Sequence, residues 1–194
     1  MKTVIVYAHP WDKSYNFFIL QSLVEGLGQS GHDIDLIDLY KEGFNPVLGK
    51  EELSLYSQGK FADPRIGEYQ KRLEQAEHLF FVFPVWWYDV PAILKGFLDR
   101  VLLKNWAYEY SPAGLPKGKL AFIKNATVIT TMKSPGWYYR LMYGNSIKNS
   151  FIKGTLKFCG IKKIKWIKIG NIENIGSQKR ISQLEKIKGY ATAL

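Results

Sequence analysis

The first apolar run of the chain, Thr3 to Ala8, empties into His9, Lys13, Ser14 and Asn16, and the helical pattern "FFILQSLVEGL" follows at once. A helix entered there offers unpaired backbone N–H groups and the positive end of its dipole, so the junction suits an anion such as a phosphate. His9 and Lys13 add donors or charge. The plainer alternative is that Ser14 caps the helix and His9 satisfies a turn. A second group of residues, "FPVWWYDVP", places Trp86, Trp87 and Tyr88 on a proline-bounded loop. Flat apolar surface beside backbone donors and acceptors is what an isoalloxazine ring needs at its face, its N5 and its pyrimidine edge. Packing beneath a loop is the other reading. The third group, "TTMKSPGWYY", joins the hydroxyls of Thr130 and Thr131 to a turn with Gly136 and aromatics.

The elements between these motifs must bring them together. Residues 3 to 8 read as a buried strand, 15 to 27 as a helix, and "DIDLIDL" at 33 to 39 as a half-covered strand. A less regular stretch covers 41 to 64, and a helix follows near 65 to 76. "HLFFVFP" is a short buried strand ended by Pro84, and Pro91 opens the helix "PAILKGFLDRVLL". Beyond the loop "WAYEYSPAGLPKG" come the strand "ATVITTM", a helix at 145 to 159, the strand "IKKIKWIKIG" and a helix at 177 to 193. Alternating strands and helices imply an α/β fold: a doubly wound, five-stranded parallel sheet with helices on both faces, in one domain over residues 1 to 194. Ligands of such sheets lie beyond the carboxyl ends of the strands, where all three loops emerge. A phosphate site, a stacking wall and a polar turn, in that order, suit a flavin mononucleotide unit.

"GLGQSG" is a literal G-x-G-x-x-G, but Gly26, Gly28 and Gly31 come after the first helix and before the second strand. The dinucleotide fingerprint requires the opposite placement, so these glycines are expected to terminate a helix.

The 194 residues contain 46% hydrophobic and 15% aromatic side chains, which excludes a disordered chain. Net charge is +10, so a polyanion or a phosphate-bearing small molecule is a fitting partner. Lys162, Lys163, Lys165 and Lys168 in the last strand form either a polyanion stripe or the guard of an edge strand. No nucleic-acid reading motif accompanies them, and no nucleic-acid partner is expected. Cys159, the lone cysteine, excludes disulfides and a cysteine zinc site, and reads as a buried structural thiol. Without a leader or a run of roughly 18 apolar residues, a cytoplasmic protein without membrane insertion is expected.

"AHPWDKSYN" resembles the A-H-x-x-x-x-S-[FY]-N loop of the flavodoxin-like NAD(P)H:quinone oxidoreductases, the DT-diaphorase family and its bacterial branch. "FPVWWYDVPAILKGFLDRVL" is similar to that family's F-P-[LM]-x-W-[FY]-x-[VM]-P-A-x-[LM]-K-G-[FW]-x-[DE]-R-V segment over its whole length. The resemblance implies a flavodoxin-like fold and tightly bound FAD or FMN. NADH or NADPH would donate a hydride to flavin N5, and a quinone, nitro- or azo-aromatic acceptor would take two electrons in ping-pong order.

It further implies that His9, Ser14, Tyr15 and Asn16 hold the phosphate and ribityl region. Pro84, Val85, Trp86, Trp87 and Tyr88 would bind the ring, with Trp87 stacking, while Thr130, Thr131, Met132 and Lys133 form the third flavin loop. Tyr138 would lie over the active site, and Tyr108 and Tyr110 would line the pocket across a homodimer interface. The sequence departs from the family at three places: Met132 and Lys133 replace a glycine pair, Tyr143 stands about where a catalytic histidine is expected, and residues 119 to 126 carry a few extra residues before the fourth strand. Lys133 and Arg140 would favour a phosphorylated nicotinamide. The competing readings are a regulatory subunit of a membrane potassium efflux transporter, and a one-electron carrier, against which the basic charge argues.

Overall fold

The structure, a computed structural model, describes residues 1–194. The chain runs through β1 (Lys2–Tyr7), α1 (Tyr15–Gln29), β2 (Asp33–Asp38), α2 (Lys50–Tyr56), α3 (Pro64–Glu74), β3 (His78–Pro84) and α4 (Ala92–Val101). It continues with β4 (Tyr108–Tyr110), β5 (Pro116–Gly118), β6 (Asn125–Thr131), α5 (Gly136–Met142), a π-helix (Ile147–Lys157), β7 (Lys163–Ile169) and α6 (Ser177–Thr192). Five parallel strands lie in the order β2-β1-β3-β6-β7, and β4 and β5 form a separate antiparallel hairpin. Chain direction across the sheet reverses between β1 and β3, which opens a crevice at their carboxyl ends.

β3 is buried at every position because it is central and covered on both faces. On one face Val6, Phe81, Phe83 and Val128 pack under α3, α4 and the π-helix, where Phe151 meets Phe81 edge-on at 5.1 Å. On the other, Ile5, Phe80, Val82 and Ile129 pack under α1 and α6. Burying each such side chain contributes about 1.5–3 kcal/mol.

The glycine run behaves differently from the expectation. α1 continues to Gln29, so Gly26 and Gly28 lie inside it and only Gly31, at φ +69°, follows its end. Gly26 is where α6 crosses: a Cβ there would stand 2.4 Å from the Lys188 carbonyl oxygen and 2.7 Å from Ala191 Cβ. Close helix approach, rather than chain termination, requires that residue. The 41 to 64 stretch contains the short α2, fastened by a buried Arg100 whose guanidinium reaches Glu52 at 2.6 and 2.8 Å and Asp63 at 3.2 Å. β7 is an edge strand with exposed Lys163, Lys165 and Lys168, as one reading of its lysines required. Cys159 is buried, and burial pushes its thiol up to about 12. No helix is long and apolar enough to cross a membrane.

Candidate active site

Ser14 ends the first loop and caps α1: its Oγ accepts the Phe17 N–H at 3.1 Å. The cap serves that amide and leaves the N–H groups of Tyr15 and Asn16 without a partner in the chain. Capping and anion binding therefore coexist at one helix end. His9 Nδ1 accepts the Trp11 amide at 3.1 Å, which assigns the proton to Nε2. Burial lowers the His9 pKa, so the ring is a neutral donor at pH 7 rather than a cation. Asn16 is buried and donates from Nδ2 to Thr131 Oγ1 at 2.8 Å, tying α1 to the end of β6, while its Oδ1 has no partner. Tyr15 turns towards α6, donating to the Arg180 carbonyl at 2.9 Å.

The second loop is locked to the third, since the Val85 N–H donates to the Thr131 carbonyl at 2.7 Å. Trp86 and Asp89 then exchange two backbone bonds at 3.0 Å around Trp87 (φ 50°) and Tyr88 (φ 65°). Two left-handed central residues are the signature of a type I′ turn, a place normally held by Asn and Gly. Trp and Tyr there cost on the order of 1–3 kcal/mol each, strain of the kind that gathers at ligand clamps. The turn forces the Trp87 indole outward, 96% exposed, and leaves the Trp87 and Tyr88 amides without partners. His9 reaches this loop from the first, its ring 5.8 Å from Trp86.

The turn is held from below. The Tyr88 carbonyl accepts from the buried Tyr139 hydroxyl at 3.2 Å and from Ser146 Oγ, and these two hydroxyls lie 2.8 Å apart. The Ile147 N–H donates to the same Tyr139 oxygen at 2.8 Å. Above, the Tyr88 ring stacks on Tyr143 with centroids 3.5 Å apart, and Tyr138 meets Tyr143 edge-on at 5.6 Å. Hydrogen bonding with Tyr88 and Tyr138 raises the Tyr143 pKa, so its hydroxyl keeps its proton at neutral pH.

In the third loop Thr130 Oγ1 accepts from the Trp166 indole at 2.9 Å, and Thr131 is occupied by Asn16. Both hydroxyls support the loop from within. Met132 is buried, its N–H donating to Ile169 at 2.9 Å, and exposed Lys133 pairs with Glu173 at 2.7 Å. The Lys133 and Ser134 amides remain free. Tyr108 and Tyr110 lie elsewhere: α4 carries the chain back across the sheet, and the β4–β5 hairpin packs by the far end of the π-helix, Tyr108 being 5.3 Å from Phe158. Within one chain they do not meet the three loops.

Sequence reasoning did not single out Tyr7, Tyr139 or Ser146. Tyr7 ends β1 with a buried hydroxyl that has no partner, and burial pushes its pKa up to about 12. Its signal was a lone phenol closing an aliphatic strand. Tyr139 and Ser146 gave no signal, because their partner is a backbone carbonyl.

Three pairs of free amides at one sheet edge, a neutral imidazole donor and a projecting indole form a donor set for a phosphate with a flat heterocycle, which fits a flavin. No three His, Cys, Asp or Glu side chains converge as a metal site would require. A family model described as a flavodoxin-like fold matches residues 1–191. The chain is 30% identical to rat NAD(P)H dehydrogenase [quinone] 1, over 95% of this chain and 74% of that protein. It is 31% identical to an uncharacterized NAD(P)H oxidoreductase of Haemophilus influenzae, over 100% of this chain and 98% of that one. The solved structure of an NAD(P)H:quinone oxidoreductase from Methanothermobacter marburgensis superposes with a TM-score of 0.89 at 26% identity, covering 99% of this chain and 98% of that one. Loop geometry, donor chemistry and relatives agree, and the chain belongs to the flavodoxin-like NAD(P)H:quinone oxidoreductase family.

Proposed function

We propose that the protein is a cytoplasmic, single-domain, homodimeric enzyme that oxidises NADH or NADPH and reduces quinones or related nitro- and azo-aromatic compounds through bound FAD or FMN. One observation carries this reading: the carboxyl edge of β1, β3 and β6 gathers the unpaired amides of Tyr15, Asn16, Trp87, Tyr88, Lys133 and Ser134 beside an exposed indole. A flavin bound there supplies the redox chemistry, taking two electrons from NAD(P)H and passing them to the acceptor.

The chain's own groups do the rest. The mouth of α1 and His9 Nε2–H hold the phosphate, with Ser14 and Asn16 fixing the helix end that presents those amides. Pro84, Val85, Trp86, Trp87 and Tyr88 position the ring by stacking and by backbone donors, and Thr130, Thr131, Met132 and Lys133 shape the loop at its polar end. Tyr143 keeps its hydroxyl proton at neutral pH, and Tyr138 and Tyr143 together cover the ring face. Donor and acceptor share that face in turn, so the order is ping-pong. Tyr108 and Tyr110 of a second copy close the pocket, and Lys133 and Arg140 favour NADPH.

Purified protein is expected to be yellow, to release FAD or FMN identifiable by mass, and to oxidise NAD(P)H when a quinone is added. A colourless protein that takes up neither flavin at high concentration would refute the reading.

A further inference from the structure

Five buried side-chain polar atoms have no hydrogen-bond partner in the chain, and three of them, the Tyr7 hydroxyl, Asn16 Oδ1 and Arg180 Nε, gather about the start of α1. A buried polar group left unpaired costs free energy, so such a cluster marks a place that something else completes. Asn16 belongs to the loops already described, and Arg180 is partly served, its Nη2 donating to the Ile172 carbonyl at 2.7 Å. Tyr7 has no role so far.

Tyr7 closes β1 and is 2% exposed, packed in one core with Ile19, Leu20 and Leu23 of α1. Its ring therefore lies beneath the first turns of that helix. The loop between them folds back, the Ser14 N–H donating to the Trp11 carbonyl at 3.2 Å, which returns Ser14 to the end of the strand. Burial holds the Tyr7 hydroxyl protonated at neutral pH; Ser14 acts on it as a hydrogen-bonding group, and Asp38 and Asp12 act only by charge. Ser14 Oγ has one proton to give and two lone pairs, and the Phe17 N–H fills one of these at 3.1 Å. Two arrangements are then open to the pair. Ser14 donates to Tyr7, or Tyr7 donates into the second lone pair of Ser14 and the Ser14 proton turns outward. Neither bond is closed in this structure.

We propose that Tyr7 is a positioning residue of the phosphate site: its hydroxyl donates to Ser14 Oγ and thereby aims the Ser14 proton at a phosphate oxygen held by the Tyr15 and Asn16 amides. A phosphate accepts hydrogen bonds, so it selects the second arrangement, and donors in series polarise one another and strengthen the outer bond. Riboflavin ends in a hydroxyl that can itself donate to Ser14, so it gains nothing from Tyr7. The phenol under the helix thus sets the preference for phosphorylated flavins over riboflavin, an inference that rests on the function proposed above.

The test is fluorescence titration of the flavin-free protein with FMN and with riboflavin. Y7F is expected to weaken FMN binding about tenfold, the lower range for a hydrogen bond to a charged group, and to leave riboflavin binding unchanged. It also removes a buried, unpaired hydroxyl, so the flavin-free variant melts no lower than the parent chain. S14A breaks the relay outright: FMN binding falls at least tenfold, and adding Y7F to it costs FMN no further affinity. Equal weakening of both ligands in Y7F would mark a merely structural tyrosine and overturn the proposal. So would unchanged FMN affinity, or additive losses in the double variant. Each of those results leaves the proposed function standing, whereas a parent chain that binds neither FMN nor riboflavin refutes that function and this inference with it.

Discussion

Trp87 and Tyr88 sit in a conformation that disfavours their side chains, and Tyr139 and Ser146 hold them there. W87G is therefore expected to stabilise the flavin-free protein by about 1 kcal/mol while weakening flavin binding at least tenfold. Thermal melts and a flavin titration read the two effects separately. Y139F removes a buried donor from the turn, with a cost of about 1–3 kcal/mol and a lower kcat/KM; denaturant titration and steady-state rates check it. His78 controls a different property. It is stacked on Phe80 at 4.4 Å and bonded to Thr127 at 2.9 Å, and burial, helped by nearby His32, lowers its pKa to about 4. The unfolded chain binds that proton first, so the stability is present in full above pH 6.5 and is lost as pH falls towards 4, by up to roughly 3 kcal/mol. Urea midpoints at pH 7 and pH 4.5 should show the loss, and H78F should lessen it. The aromatic loop and the polar junction were visible in the sequence because side-chain type announced them. The clamp below the turn was not, since a tyrosine bonded to a distant carbonyl is indistinguishable from an ordinary core tyrosine.

At the level of elements, periodicity located all five sheet strands and the long helices, since each buries a face whose spacing is fixed by its backbone. α2 lay hidden in the irregular 41 to 64 stretch because its hold on the fold is the Arg100–Glu52 pair, a contact between residues far apart in the chain. The 145 to 159 segment read correctly as helical, but its π hydrogen bonding left no mark in the apolar spacing. "GLGQSG" misled for a related reason, since Gly26 answers to a helix arriving from the other end of the chain. G26V should cost 2 kcal/mol or more, on the order of an overpacked core site, by wedging α6 from α1. A lowered thermal midpoint with normal flavin content would match, and an unchanged midpoint would not.

For the whole molecule, one chain presents the three loops at the carboxyl ends of the strands and Tyr108 and Tyr110 by the far end of the π-helix, and the proposed homodimer is what would unite them. Light scattering should give twice the 22.3 kDa chain mass, and Y108S/Y110S should lower kcat/KM about tenfold with flavin retained. An active monomer would contradict that arrangement. The distance between these parts could not be judged before the fold had arranged them. Cys159 acquires a meaning from the same perspective. Quinones are electrophiles that alkylate thiolates, and this chain's only sulfhydryl is shut inside the core in its protonated form. An enzyme built this way survives long exposure to its own reactants, and intact-mass spectra after prolonged incubation with an arylating quinone should show no adduct at that sulfur.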